Sequence, residues 1–186
     1  MIRMELLENE AELVKELCRR IKVEQERTKK QLKILDMGCG TGKLALYIRE
    51  VTGCDVTGID PDRARIEKAK RSSPSDDVTF VVQSAEDMAF ANGTFDFVVS
   101  LKALHEIPNP SEALRQSKRV LKESGELLII DWIGGVARAG SHAHAKKYFT
   151  QARLEEALTE TGFSHVRIEA GGELMLAAAG REQKEK

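Results

Sequence analysis

The residues best suited to chemistry form one glycine-rich segment, Ile34-Leu35-Asp36-Met37-Gly38-Cys39-Gly40-Thr41-Gly42. Glycine at every second position lets the backbone turn tightly and approach a ligand where a Cβ atom would collide with it. A helix that follows such a turn presents free N–H groups and the positive end of its dipole, which suit a carboxylate or a phosphate. The alternative is a turn that holds no ligand, but packing alone does not require the chain entropy that three glycines cost.

Two common nucleotide motifs do not fit this segment. The dinucleotide fingerprint G-x-G-x-x-G needs a glycine at position 43, where the chain has Lys43. A P-loop needs four residues between its glycines and then Lys followed by Ser or Thr, but Leu44 follows Lys43. In the remaining pattern, D-x-G-x-G-x-G, the carboxylate of Asp36 would repel a pyrophosphate and would favour a cation such as an ammonium or a sulfonium.

Together with four later segments, this segment resembles the class I S-adenosylmethionine (SAM) methyltransferases, in particular the broad type 11 group of small methyltransferases. The later segments are Gly58-Ile59-Asp60-Pro61-Asp62, Ser84-Ala85-Glu86-Asp87-Met88-Ala89-Phe90, Phe95-Asp96-Phe97-Val98-Val99-Ser100 and Ala103-Leu104-His105-Glu106-Ile107. The resemblance covers residues 34–133 and implies transfer of the SAM methyl group to an acceptor, with S-adenosylhomocysteine as the product. It implies cofactor contacts by Asp36, Gly38, Cys39, Gly40, Asp60, Pro61, Ser84, Ala85, Glu86 and Leu101.

Asp60 ends the second predicted strand, 22 residues after Gly38, where a carboxylate can accept both hydroxyl groups of a ribose. It could also cap the next helix, since Asp is a favoured cap and Pro61 a favoured first helical residue. The two roles are compatible because a carboxylate has two oxygens. Many relatives carry Asp where this chain has Ser84, a weaker acceptor for adenine, so backbone groups of Ala85 and Glu86 are the alternative adenine partners.

His105 falls in the loop that, in the family, faces the transferable methyl group. An imidazole titrates near neutral pH and could remove a proton from the acceptor, which makes His105 the candidate catalytic residue. The alternative is a histidine that packs against the cofactor or orients the loop, because positioning alone can suffice for methyl transfer. Asp131 and Trp132 end the fifth predicted strand, where they could hold an amine-bearing substrate and wall its pocket, or pack in the core.

Two other patterns favour simpler interpretations. His142-x-His144 supplies two of the three or four ligands that a metal needs, so no metal site is expected. The basic residues between Arg19 and Lys33 lack interleaved aromatic residues for base stacking, which favours a solvated helix face over a nucleic-acid surface.

Composition limits the function further. The 186 residues carry 29 basic and 30 acidic side chains, so no global charge favours nucleic acid or an anionic membrane. No apolar run approaches the ~20 residues of a membrane span, and the acidic start does not resemble a signal peptide. The odd, scattered set Cys18, Cys39 and Cys54 is typical of reduced thiols. We therefore expect a cytoplasmic protein, and the sequence does not indicate an oligomeric state. Because no large insertion could build a substrate lid, we expect a small-molecule substrate or one presented by a partner, and the sequence does not decide between the two.

Strands and helices alternate along the chain, which predicts an α/β fold: a doubly wound, mostly parallel seven-stranded sheet with helices on both faces. We predict one domain over residues 1–180, with an N-terminal helical segment over 1–30 and a solvated tail over 181–186. Gly171-Gly172 predicts an antiparallel hairpin at the C-terminal end, and Asn109, with Glu112 completing a capping box, predicts a helix start. In such sheets ligands bind beyond the carboxyl ends of the strands.

The first hypothesis is thus a SAM-dependent methyltransferase that holds its two reactants in line and excludes water. The alternatives are a SAM-binding module without catalysis, an aminopropyl transferase, and an NAD-dependent oxidoreductase that Lys43 disfavours. Without large insertions, the N-terminal helix and the loop over 134–149 are the segments expected to border the pocket.

Overall fold

Strands and helices alternate along most of the chain in the computed structural model, which describes residues 8–73, 77–135 and 147–181. The helices of the described residues are α1 (Glu8–Thr28), α2 (Lys43–Thr52), α3 (Arg63–Ser72), α4 (Pro110–Val120) and α5 (Gln151–Glu160). The strands are β1 (Lys33–Met37), β2 (Asp55–Asp60), β3 (Val78–Val82), β4 (Phe95–Leu101), β5 (Leu121–Trp132), β6 (Phe163–Gly171) and β7 (Leu174–Arg181). A short 3-10 turn over Leu104–Glu106 follows β4.

The strands form one sheet in the order β3-β2-β1-β4-β5-β7-β6. The neighbouring strands β3, β2, β1, β4 and β5 pair in parallel. Strand β7 lies between β5 and β6 and is antiparallel to both. The chain moves outward from β1 to β3 and then returns to place β4 beside β1, so the carboxyl ends of β1 and β4 flank the switch point. The predicted fold class and the C-terminal hairpin are confirmed.

Helices cover both faces of the sheet because neighbouring strand residues alternate between two apolar layers. Ile34 and Val99 belong to the layer under α1, α2 and α3. Leu35 and Val98 belong to the layer under α4 and α5. A strand with apolar residues on both sides is what a parallel sheet covered on both faces requires. This double burial fixes the strand register and therefore the positions at which the strands end.

Local signals set most helix ends. The side chains of Asn109 and Thr150 accept hydrogen bonds from the backbone N–H groups of Glu112 and Arg153, as expected of N-caps. Gly53 ends α2 in the left-handed conformation, with φ of 70°. The predicted capping box is wrong, because the backbone N–H of Asn109 donates to Glu86 and not to Glu112.

Three other boundaries differ from the sequence-based expectation. Helix α3 begins at Arg63, after Pro61, and Asp62 caps it by accepting from the backbone N–H groups of Ala64 and Arg65. Strand β5 covers Leu121–Trp132, so it begins well before the apolar run Leu127-Leu128-Ile129-Ile130 that predicts it from the sequence. Arg181 ends β7 and its guanidinium donates to the carbonyl of Leu121, so it does not belong to a solvated tail. The rest of that predicted tail, residues 182–186, lies outside the described residues.

None of the described helices is both long enough and apolar enough to cross a membrane.

Candidate functional site

A cavity of about 820 Å³ opens at the carboxyl ends of β1, β2 and β4. All ten residues that the family resemblance assigns to the cofactor line it: Asp36, Gly38, Cys39, Gly40, Asp60, Pro61, Ser84, Ala85, Glu86 and Leu101. They come from four segments of the chain, at or after the ends of β1, β2, β3 and β4, which meet because parallel strands end at a common edge. His105 lies in the turn after β4, and its neighbour Glu106 lines the cavity.

The glycine turn after β1 needs glycine for two different reasons. Gly38 has φ of 74°, and a Cβ atom there would lie 2.5 Å from the Cβ of Ala103. Gly40 also has a positive φ, but a Cβ atom there would meet no other atom within 4 Å. Gly38 therefore allows two chain segments to pack together, whereas Gly40 leaves the cavity wall as bare backbone that a ligand can approach.

Asp36 is a buried carboxylate whose two oxygens lack hydrogen-bond partners within the described part of the chain. It is 1% exposed, and neither oxygen has a hydrogen-bond partner among the residues that the structure describes. Burial, together with the negative charge of Asp60, raises the pKa of Asp36 to about 7. A carboxylate in this position is stabilised by a cationic donor, because no side chain of the described residues pairs with it.

Asp60 organises the adjacent part of the cavity. Its two oxygens accept the backbone N–H groups of Gly40 and Asp62, each at 2.9 Å. The carboxylate thereby ties the glycine turn to the end of β2, while each oxygen keeps further lone pairs for a ligand. The helix-capping role that the sequence left open belongs to Asp62 and not to Asp60.

The segment after β3 forms a turn closed by its own side chains. The Ser84 hydroxyl accepts the backbone N–H of Glu86 at 3.1 Å. One oxygen of Glu86 accepts the backbone N–H of Asn109 at 2.8 Å, which links this turn to the start of α4. Glu86 thus holds two walls of the cavity together in addition to lining it.

His105 forms a tight pair with Asp131 at the end of β5. The Nδ1 atom lies 2.6 Å from Oδ1 of Asp131, and the backbone N–H of His105 donates to Oδ2 at 3.1 Å. The backbone N–H of Trp132 also donates to Asp131. With these partners and 2% exposure, Asp131 is placed to orient His105, and the hypothesis that it holds an amine-bearing substrate stays a prediction.

The second ring nitrogen of His105 faces Glu106, with Nε2 3.2 Å from Oε1. Burial disfavours the charged imidazole, but the carboxylates of Asp131 and Glu106 outweigh burial and raise the pKa of His105. The Tyr148 ring meets the imidazole edge-on at 4.8 Å and stacks on Trp132 at 6.2 Å. Trp132 therefore belongs to an aromatic group beside the imidazole.

The sequence analysis missed one part of the cavity. Glu10 of α1 lines the cavity while only 3% exposed, and it pairs with Lys102 at 2.8 Å. The sequence contains a pattern that indicates this role, because the spacing of Glu10 places it on the same face of the helix as Leu13, Val14 and Leu17. A carboxylate on an apolar stripe indicates a buried partner. The expectation that the N-terminal helix borders the pocket is confirmed by Glu10.

The loop predicted to cover the pocket from the other side is described only at its ends. Tyr148, in its described part, contacts the His105 ring. His142 and His144 lie outside the described residues. Within residues 8–73, 77–135 and 147–181, no group of His, Cys, Asp and Glu side chains could hold a metal ion.

The strand order, the glycine turn and the two carboxylates at the switch point define a Rossmann-like nucleotide-binding protein. A family model described as "Methyltransferase domain" matches residues 35–129, about half of the chain. The chain belongs to this family, the class I SAM-dependent methyltransferases.

Relatives and solved structures agree with this membership. The chain is 30% identical over 119 residues to 27-O-demethylrifamycin SV methyltransferase of Amycolatopsis mediterranei, covering 62% of this chain and 44% of that protein. It is 30% identical over 142 residues to O-methyltransferase resE of Aspergillus sclerotiorum, covering 70% and 54%. The chain thus spans about half the length of these relatives. A SAM-dependent methyltransferase from Aquifex aeolicus shares the fold, with a TM-score of 0.71 at 20% identity over 94% of this chain and 98% of that one.

Proposed function

We propose that this protein transfers the methyl group of SAM to a small-molecule acceptor. The observation that carries the proposal is the buried, unpartnered carboxylate of Asp36 beside the glycine turn, in the same cavity as Asp60. A carboxylate without a donor suits the ammonium of an amino acid, and a carboxylate at the end of β2 suits the hydroxyl groups of a ribose. SAM contains both groups.

Each part of SAM can be assigned to residues that line the cavity. Asp36 would hold the amino group, and the bare backbone at Gly40 leaves room for the amino-acid part. Asp60 would hold the ribose, while Pro61, Ser84, Ala85 and Glu86 would surround the adenine and Leu101 would support the methionine part. When bound, SAM supplies an electrophilic methyl group on a sulfonium.

His105 would remove the proton of the acceptor. Asp131 holds Nδ1, which leaves Nε2 as the ring nitrogen that can accept a proton. A neutral His105 can accept a proton at Nε2, and the buried negative charge of Asp131 stabilises the imidazolium that results. Because the pKa of His105 is raised, the fraction of neutral base and hence the rate should increase with pH through that pKa.

A small-molecule acceptor is supported by the relatives. The Amycolatopsis relative carries the name of a demethylrifamycin, which is a small molecule. The described part of this chain has aromatic side chains, Trp132 and Tyr148, beside His105, where they can pack against a compact acceptor.

Calorimetry with SAM and NAD tests the proposal directly. We expect SAM to bind and Asp60→Asn to weaken its binding by about 10-fold to 150-fold, which corresponds to about 1.5–3 kcal/mol for charged hydrogen bonds. The matched control is Asp55→Asn at the opposite, exposed end of β2, which should bind SAM like the wild type. Preference for NAD, or equal SAM affinity of the Asp60→Asn and wild-type proteins, would contradict the proposal.

The catalytic role of His105 needs a separate experiment, a screen of small molecules monitored by S-adenosylhomocysteine release. Once the screen has identified an acceptor, His105→Asn should lower kcat for its methylation by about 100-fold to 10,000-fold, which is the range of general-base catalysis. The affinity for SAM should not change. His165→Asn, at an exposed site on β6, is the matched control. A full rate in the His105→Asn variant would show that positioning alone suffices.

A further inference from the structure

The imidazole of His105 lies between two carboxylates that differ greatly in their access to water. Asp131 contacts Nδ1 at 2.6 Å and its side chain is 3% exposed. Glu106 contacts Nε2 at 3.2 Å and its side chain is 51% exposed. The imidazole itself is 6% exposed, so Glu106 is the partner through which it reaches solvent.

The contact with Glu106 has a consequence for the protonation of His105. Since Nδ1 donates its hydrogen to Asp131, a neutral ring would present the lone pair of Nε2 to a carboxylate oxygen. Two lone pairs at 3.2 Å repel each other, whereas a proton on Nε2 makes the contact a charged hydrogen bond. The two short contacts therefore favour the imidazole with a proton on both nitrogens.

An imidazole in that state must lose the Nε2 proton before it can act as a base again. Asp131 is a poor carrier because it is buried and already accepts from His105 and from the backbone N–H of Trp132. Glu106 lines the cavity and is half exposed, so rotation of its side chain can bring the carboxyl group from Nε2 into water.

We propose that Glu106 carries the proton from Nε2 of His105 to solvent and thereby restores the neutral imidazole. This inference rests on the proposed function, in which His105 accepts the proton of the acceptor. The bond between the acceptor atom and its hydrogen breaks and an N–H bond forms at Nε2. That N–H bond then breaks as an O–H bond forms on Glu106, and water finally takes the proton. Each methyl transfer releases one proton, and this route accounts for it.

None of the other described groups that face the imidazole is suited to carry its proton to solvent. The titratable or charged groups that the structure describes facing it are Asp131 from β5, Glu106 from its own turn and Tyr148 from the segment before α5. Burial, and then the negative charges of Asp131 and Glu106, raise the pKa of Tyr148, so its hydroxyl group keeps its proton at neutral pH.

The experiment measures proton exchange at His105 in the full chain without SAM or an acceptor. The four histidines are isotopically labelled, and His105→Asn identifies the signals of His105. Relaxation dispersion of its imidazole signals, at the pH where each protein is half protonated, gives the rate of proton exchange with water. Glu106→Gln should slow this exchange at least about tenfold and lower the pKa of His105. Glu123→Gln, at an exposed position on β5, is the matched control and should change neither value.

Added formate separates proton transfer from a structural effect of the substitution. As a small carboxylate, formate should restore fast exchange in the Glu106→Gln protein in proportion to its concentration and leave the wild-type rate unchanged. Equal exchange rates in the wild-type and Glu106→Gln proteins, or slow exchange that formate does not restore, would overturn the inference. Because SAM binding is measured separately, a failure here is distinguishable from a failure of the proposed function.

Discussion

Asp36 illustrates how one residue links ligand binding to stability. In the folded protein its pKa is about 7, against an ordinary value of 3.8, because burial and the negative charge of Asp60 outweigh the stabilising effect of the backbone N–H of Ala45. A raised pKa means that the folded state binds the proton more tightly than the unfolded state does. The free energy of unfolding should therefore decrease as pH rises from about 4 to about 7 when no ligand is bound.

We predict that Asp36→Asn removes this part of the pH dependence. The variant should have a clearly higher Tm than the wild type at pH 8, where the carboxylate of the folded wild type is charged, and a smaller advantage at pH 5, where the folded wild type is neutral and only its unfolded state is ionised. The same variant should bind SAM more weakly, because an amide cannot pair with an ammonium as a carboxylate does. Thermal unfolding at the two pH values and calorimetry measure both effects. A lower Tm than the wild type at pH 8 would contradict the assignment of a buried, unpaired charge.

The glycine turn allows two substitutions of the same size to be compared. Gly38→Ala should lower the free energy of unfolding by about 1–3 kcal/mol, because its Cβ atom would lie 2.5 Å from that of Ala103. Gly40→Ala meets no protein atom within 4 Å, so it should cost less stability and act mainly on SAM affinity. Denaturant titration and calorimetry separate the two effects. Adding Ala103→Gly to Gly38→Ala should recover part of the lost stability, and no recovery would contradict the proposed collision.

At the scale of elements, helix α1 contributes a wall to the cavity through one ion pair. Glu10 and Lys102 lie 92 positions apart in the chain, and the Glu10 side chain is 4% exposed. Lys102 follows β4 in the left-handed conformation, with φ of 51°, and its ammonium also lies 5.8 Å from the centre of the Trp132 ring. The pair therefore connects α1, the end of β4 and the aromatic group beside His105.

A double-mutant cycle tests this connection. Lys102→Met should destabilise the protein by about 2 kcal/mol, because it leaves the Glu10 charge buried without its partner. The double variant Lys102→Met/Glu10→Gln should be more stable than Lys102→Met alone, with a coupling of about 1–2 kcal/mol. Denaturant titration of the four proteins gives the coupling. Strictly additive effects would show that the two side chains do not interact in solution.

At the scale of the whole molecule, all three cysteines belong to one apolar layer, the one under α1, α2 and α3. Cys18, Cys39 and Cys54 are reduced and buried, with exposed fractions of 3%, 8% and 0%. Burial raises the pKa of Cys18 to about 11 and also raises those of Cys39 and Cys54, so little thiolate forms at neutral pH. Their reactivity therefore reports on opening of the folded protein.

We predict that a thiol reagent modifies the native protein at least about a thousandfold more slowly than the protein in denaturant, because labelling requires opening. SAM should slow the labelling of Cys39 further, since this residue lines the cavity. Mass spectrometry of digested samples resolves the three sites. Rapid labelling of Cys18 or Cys54 in the native protein would contradict their burial.

The sequence by itself determined the sheet and the group of residues at its edge. Alternating strands and helices impose a parallel sheet, and the carboxyl ends of parallel strands meet, so Asp36 and Asp60 had to lie at one edge. The caps Asn109 and Thr150 were predictable because the side chain of each accepts a hydrogen bond from the first turn of its own helix.

Only the tertiary structure decided which polar side chains pair. The choice between Asp60 and Asp62 as the cap of α3 depended on the glycine turn, whose Gly40 N–H engages Asp60. The pairs His105–Asp131 and Glu10–Lys102 join segments 26 and 92 positions apart, and no local pattern fixes such a distance. The physical reason is that periodicity reports which face of an element is buried, whereas the partner of a buried charge depends on how separate elements pack.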